Sequence, residues 1–215
     1  DSNSIVFQHL HRYPNAKKGI FLTTDPKNFA NLKMLDAVFC ESQLVLEAVN
    51  KGGAKGVFAF GTDTDFYKPN PDVKKDIEYF YPATFSPWKK QSDIAYYGEK
   101  LLVCGTIQPD GYGELEACEK TGVQRKLGYF PAEEIRSYYE RTQNVIIPAV
   151  HGSERTVLEA MSMDILPQVT NPQNIRAQSY IEEYKKSGLK SPREFVVKHY
   201  SHKVYAENIL KGLGL

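Results

Sequence analysis

Short apolar runs of about four residues alternate with longer amphipathic stretches along most of the chain, the pattern of β-α-β units around a mainly parallel sheet. Runs at 5–7, 19–22, 37–40 and 56–60 each suit a buried strand. Between the last two, Ser42 is placed to cap a helix over 43–50, which Gly52 and Gly53 end, so one β-α-β unit is complete there. Residues 67–75 read YKPNPDVKK, two prolines among alternating charges, which is linker chemistry and predicts a domain boundary. Beyond it the pattern predicts strands over 79–85, 101–104, 124–127, 144–148 and 166–170. Helices are expected over 92–98, 111–120, 131–141, 156–163, 174–186 and 191–213, the third of them opening on proline and two glutamates as a helix start does. The fold class is therefore α/β.

Length and composition narrow the choice of function. A chain of 215 residues holds one large domain or two small ones, each with its own core. It is 41% hydrophobic and 25% charged, with 27 Lys+Arg against 26 Asp+Glu, so bulk charge favours neither disorder nor a nucleic-acid partner. No apolar run approaches the roughly 18–20 residues of a membrane span, and the first residues lack the basic and apolar regions of a signal peptide. A soluble, cytoplasmic protein is expected. Cys40, Cys104 and Cys118 are odd in number, widely spaced and without a C-x-x-C pair, so reduced thiols are expected rather than zinc ligands. The chain opens on Asp1 rather than Met, which admits a trimmed N-terminal portion.

The segment richest in chemistry is VHGSERTVLEAM, residues 150–161. It follows a strand, turns at Gly152 and enters a helix, so backbone N–H groups converge where the helix dipole is positive. A diphosphate would be held there by the amides from Ser153 through Arg155 and Thr156 to Val157. Glu159, one turn into the helix, would accept hydrogen bonds from ribose hydroxyls. The competing reading is that Thr156 and Glu159 form a T-x-x-E capping box, with the carboxylate bonded to its own backbone.

This stretch resembles the donor-site motif of retaining glycosyltransferases of family 4 and their GT-B fold relatives, a Glu, seven residues, then Glu-Ala-Met. Glu159-Ala160-Met161 matches the second half, and His151 stands where the family has its first acid, beside the donor sugar. Residues 60–69, FGTDTDFYKP, resemble the family's segment closing the N-terminal domain, with Gly61 allowing close backbone approach to the interdomain cleft, where it would border the nucleotide, and Phe66 plugging the start of the linker. Residues 83–90, ATFSPWKK, resemble its phosphate-binding loop: Lys89 falls on the family's lysine, Thr84 on its arginine, and Lys90 or Arg155 would supply the second cation. Residues 36–42 resemble a strand with its helix cap, and 127–130, LGYF, the strand end where the base lies. Tyr129 or Phe130 would stack on that base, or else pack in the core. Residues 195–208 resemble the family's closing helix.

The resemblance implies a GT-B-like protein of two unequal Rossmann-type halves. They are an abbreviated acceptor-side domain at 1–69, a donor-binding domain at 70–195, and a helix at 196–215 crossing back to the first. It implies transfer of a sugar from a UDP- or GDP-linked donor to an acceptor hydroxyl with retention, without a further cofactor and without metal. The D-x-D letters of Asp63-Thr64-Asp65 are expected to be a turn. His151, Lys89, Glu159 and His9 would serve the reaction, His9 or His11 lying near the sugar. Arg12, Lys17 and Lys18 would meet an anionic or lipid-linked acceptor, which admits peripheral membrane contact, or else form a solvated basic loop; a protein acceptor, a partner chain or an oligomer are the other partners it admits. Two alternatives remain: a non-catalytic nucleotide-sugar-binding module working with a partner chain, and a GT-B epimerase or phosphorylase.

Overall fold

In the computed structural model, which describes residues 15–22 and 31–215, the chain divides into two units. One consists of the described residues up to Gly61 together with Tyr200–Leu215, the other of Thr62–His199. The expected strand at 5–7 and the residues His9, His11 and Arg12 lie outside the described residues.

The first unit is built on three parallel strands, β1 (Gly19–Leu22), β2 (Ala37–Cys40) and β3 (Gly56–Phe58), with β2 in the middle. All four residues of β2 are buried, as a strand covered on both faces requires. Val38 and Cys40 pack with Leu32, Leu35, Val45 and Val49 on one side. Ala37 and Phe39 pack on the other with Tyr205, Ile209 and Leu213 of the chain's last helix, His202–Leu213. Helix α1 (Gln43–Lys51) starts where the sequence requires, because the Ser42 Oγ accepts the Val45 N–H at 3.3 Å.

The second unit holds five parallel strands, with Ile77–Pro82 in the middle of the sheet. In chain order its elements are β4 (Ile77–Pro82), β5 (Leu101–Gly105), α2 (Tyr112–Lys120), β6 (Gln124–Leu127), α3 (Ala132–Arg141), β7 (Thr142–Ile147), α4 (Glu154–Ser162), β8 (Gln168–Val169), α5 (Ile175–Ser187) and α6 (Pro192–His199). The chain leaves β4 first toward β5 and β6, and later returns on its other side through β7 and β8. The strand order thus reverses at β4, and in open parallel sheets the carboxyl ends beside such a reversal are where ligands bind.

Several expected boundaries move, for local reasons. The strand expected over 79–85 stops at Pro82, and Phe85 forms only an isolated bridge with Ile107. The helix expected over 92–98 is a 3-10 segment, Gln91–Lys100, broken at Gly98 with φ 56° and ψ −136°. The helix expected to run over 191–213 is two helices, because Ser201 leaves helical geometry (φ −67°, ψ 156°) and its Oγ caps the second one through the Val204 N–H at 3.4 Å. All three cysteines are free and buried, and desolvation pushes their thiols up to about 11, 12 and 11 for Cys40, Cys104 and Cys118. They are inert at neutral pH. Among the described residues no helix is long and apolar enough to cross a membrane.

Candidate functional site

Within the second unit, at the carboxyl ends of β4, β5 and β6, lies a cavity of about 380 Å³. Its wall includes Tyr67, Thr84, Thr106, the Gly128-Tyr129-Phe130 turn after β6, and Arg155, Thr156 and Glu159 of α4. The Thr84 and Thr106 hydroxyls are hydrogen bonded to each other at 3.1 Å, which closes the ends of β4 and β5 with polar groups. Tyr129 is 91% exposed, so its ring is presented to ligand or solvent and core packing is not its role. Phe130 is half-buried.

Glu159 sits under aromatic rings from two other segments. The Tyr139 hydroxyl, from α3, donates to its Oε2 at 3.3 Å, and Tyr67 stands beside it in the same cavity wall, close enough to favour the ionised carboxylate. The two rings meet edge-on, centroids 5.9 Å apart at 89°, and Phe80 stands edge-on to Tyr139 at 5.2 Å. Desolvation by this cage pushes the carboxyl from its ordinary 4.5 up to about 7, against the pull of the Arg155 guanidinium and the two hydroxyls. Burial and the neighbouring carboxylate push both phenols upward in turn. The capping-box reading is therefore overturned. Helix α4 begins at Glu154, Thr156 is its third residue, and Glu159 bonds Tyr139 rather than its own backbone.

The turn into α4 has two consecutive residues with left-handed backbone, Gly152 at φ 74° and Ser153 at φ 73°. Such a serine is uncommon, costing on the order of 1 kcal/mol, and its side chain does not cap the helix. Its Oγ instead accepts the Lys89 ammonium at 3.0 Å. A Cβ on Gly152 would stand 3.0 Å from the same ammonium, so glycine leaves room for Lys89 as well as permitting the turn. Desolvation holds Lys89 below its ordinary value, partly offset by the buried Glu154 carboxylate, whose Oε1 has no protein partner. The Val157 N–H already serves the helix, bonded to the Ser153 carbonyl at 3.0 Å, which corrects its expected part in anion binding. The amides of Glu154, Arg155 and Thr156 precede that first intrahelical bond and face outward along the helix axis.

Second contacts fix this turn. Asn174 Nδ2 donates to the Ala149 and Gly152 carbonyls at 3.1 and 2.9 Å, while its Oδ1 caps α5 through the Ala177 N–H at 3.2 Å. The Val150 N–H donates to the Trp88 carbonyl at 2.8 Å, tying the turn to the lysine loop. His151 is exposed, its ring nearly parallel to Trp88 (13°) with centroids 6.1 Å apart.

Of the residues singled out in the sequence, Thr84, Tyr129, Phe130, Arg155, Thr156 and Glu159 share the cavity, whereas Lys89, Lys90, His151, Gly152, Ser153 and Val157 are outside its wall. Lys89, Gly152 and Ser153 meet at the head of α4, and Lys90 is half-buried with φ 55°. Gly61 belongs to the first unit, where a Cβ would fall 2.5 Å from the Tyr200 carbonyl oxygen. The D-x-D letters form a turn, since Asp63 Oδ1 accepts the Asp65 and Phe66 N–H groups at 3.0 and 2.9 Å. Among the described residues no three His, Cys, Asp or Glu side chains cluster as a metal site. Sequence reasoning missed Tyr67 and Tyr139. The first lies in a segment read as linker, the second in a helix whose pattern says only that one face is apolar.

No protein-family model and no curated protein sequence matches the chain. Solved structures do match its fold. A glycosyltransferase from Rickettsia africae ESF-5 superposes with a TM-score of 0.63 at 16% identity, over 94% of this chain and 71% of that one. TarM does so at 0.63 and 12%, over 98% of this chain and 52% of that one. A trehalose-6-phosphate synthase, solved in work on enzymatic glycosyltransfer with retention, matches at 0.54 and 10%, over 96% and 67%. The chain thus spans about half the length of TarM. At these identities the likeness is one of fold: an α/β protein with two parallel sheets of unequal size, as in GT-B glycosyltransferases.

Proposed function

We propose that this chain binds a nucleoside-diphosphate sugar and transfers the sugar to an acceptor hydroxyl with retention, in the cytoplasm. One observation carries the reading. The cavity beside the strand-order reversal brings together an exposed aromatic ring, a caged carboxylate and, at its edge, a helix N-terminus with a desolvated lysine. Those are the groups that a base, a ribose and a diphosphate each require. In this reading Tyr129 stacks on the base and Glu159 accepts the ribose hydroxyls. Lys89 leaves Ser153 for the diphosphate, whose other oxygens take the α4 amides. Catalysis is then positioning together with neutralisation of the charge that develops on the leaving diphosphate, which takes up the acceptor's proton on the same face as bond breaking. His151 stands at the sugar end of the turn.

Calorimetric titration with UDP, GDP and ADP in EDTA tests this without knowledge of the acceptor. Saturable binding of one diphosphate, weakened at least tenfold in Lys89→Ala, is expected. Absence of binding to all three refutes the reading. The exposed histidine at the position of the family's first acid favours a second reading, a nucleotide-sugar-binding module. Tight diphosphate binding without release of nucleotide in the presence of any acceptor would select it.

A further inference from the structure

Arg193, in the first turn of α6, touches no wall of the cavity, yet its guanidinium is committed to three backbone carbonyls. Nη1 donates to the Tyr67 carbonyl at 2.9 Å and the Ser162 carbonyl at 2.7 Å, and Nη2 donates to the Thr64 carbonyl at 3.0 Å. The Ser162 hydroxyl, at the end of α4, donates to the same Tyr67 carbonyl. Arg193 is itself anchored, its N–H donating at 3.2 Å to Oδ1 of Asp164, a residue in left-handed backbone at φ 61°. Residues 64–67 belong to no strand or helix; Asp63 accepts the Asp65, Phe66 and Tyr67 N–H groups locally, and the Arg193 fork takes up the Thr64 and Tyr67 carbonyls and ties the turn to α4. Phe66 adds packing, with the Arg136 guanidinium 5.2 Å over its ring and Tyr67 edge-on at 5.0 Å. A planar fork reaches acceptors on two chain segments at once, whereas a lysine ammonium on the same stem serves fewer.

We propose that Arg193 is a positioning residue of the nucleotide site: by fastening residues 64–67 to the end of α4 it holds the Tyr67 hydroxyl against Glu159, and through it sets how well that carboxylate accepts a ribose. The inference rests on the reading of Glu159 as the ribose acceptor. The groups facing Glu159 are Tyr67 from this segment, Tyr139 from α3 and Arg155 from its own helix; Asp63 acts on Tyr67 and Cys104 on Tyr139. Of these, Arg193 governs Tyr67. Loss of the Tyr67 hydroxyl removes a polar neighbour that favours the ionised carboxylate, so Glu159 titrates at higher pH and accepts hydroxyls less well at neutrality.

The test compares wild type, Tyr67→Phe, Arg193→Lys and the double variant by two measurements on the full chain. The first is calorimetric affinity for UDP, GDP and ADP. The second is the pH at which Glu159 titrates, read from urea unfolding as the difference between each protein and its Glu159→Gln counterpart. Each single substitution is expected to weaken the nucleotide about tenfold and to move the Glu159 midpoint to higher pH, with the double variant no weaker than Tyr67→Phe alone. Tyr67→Phe keeps the ring and the carbonyl that Arg193 holds, so it reports on the hydroxyl with the fold intact. Losses that multiply in the double variant overturn the proposal. So does an Arg193→Lys protein that melts earlier with affinity and midpoint unmoved. Should wild type bind none of the three nucleotides, the ribose reading fails, and the midpoint decides for Arg193 by itself: a rise in both single variants upholds the clamp, and no change overturns it.

Discussion

Replacing Glu159 by glutamine should make the unliganded protein more stable at pH 8 while weakening its hold on a nucleotide. The carboxyl titrates near its ordinary 4.5 in the unfolded chain and at about 7 in the folded one. Between those values the folded state binds more protons than the unfolded state, so stability falls as pH rises through that window. The favourable contribution of the protonated acid is complete below pH 4.5 and gone above pH 7. At about 1.4 kcal/mol per pH decade the difference amounts to about 3 kcal/mol. Glutamine keeps an oxygen for the tyrosine hydroxyls and carries no charge to desolvate. The expected result is therefore a Glu159→Gln protein about as stable as wild type at pH 4 and more stable by about 3 kcal/mol at pH 8. Urea titration followed by tryptophan fluorescence is suited to this, because Trp88 is the chain's single tryptophan and belongs to the same unit as Glu159. Nucleoside-diphosphate affinity should move the other way, falling by at least tenfold at pH 8 where wild type is ionised. A stability difference that does not change between pH 4 and pH 8 would refute the reasoning, since it would mean that the aromatic cage does not perturb the acid.

Two further substitutions separate ligand contact from structure. Tyr129→Ala removes a ring that is 91% exposed, so the melting curve should shift by no more than about 0.5 kcal/mol, while nucleotide affinity drops by about 1–3 kcal/mol as stacking on the base is lost; an unchanged calorimetric isotherm would remove Tyr129 from the site. Gly61→Ala places a methyl group 2.5 Å from the Tyr200 carbonyl and should cost about 2 kcal/mol with nucleotide affinity intact. Weakened affinity at unchanged stability would instead return Gly61 to the nucleotide.

What could be read from the sequence is what is decided locally. Strand β2 is four apolar residues followed at once by a serine that caps a helix, and each of those signals acts within a few residues. The start of α4 is different in kind. Spacing offers Thr156 and Glu159 as a capping box and says nothing of a serine at positive φ three residues earlier, because what the Ser153 side chain bonds is Lys89, 64 positions away in the chain. The division of 191–213 into two helices was open to inspection, since Ser201 is a capping residue type, but the apolar period continues across it and hides the break. Tyr129 is conspicuous in the sequence but its exposure is not, for a ring beside a strand end reads alike whether it packs inward or stands free.

Glu159 shows why the place of a candidate group can be legible when its chemistry is not. The residue is marked by the Ala-Met that follows it and by its distance into the helix, both written in a dozen consecutive letters. Its acidity is written nowhere near. Tyr139 arrives from α3, Tyr67 from a segment with no regular structure, and Arg155 alone comes from the same helix. A four-residue step on α4 with only the arginine present would lower the carboxyl, as an ordinary helical ion pair does. The two rings reverse the sign, because removing water from a carboxylate costs more than two hydroxyls and a solvent-screened guanidinium return. Arg193 belongs to the same account at one further remove: it makes no contact with Glu159, and it matters to the site because it ties residues 64–67, otherwise held by the local Asp63 turn and by packing, to the end of α4. A group of this kind becomes visible only when backbone carbonyls are followed to their donors, one by one.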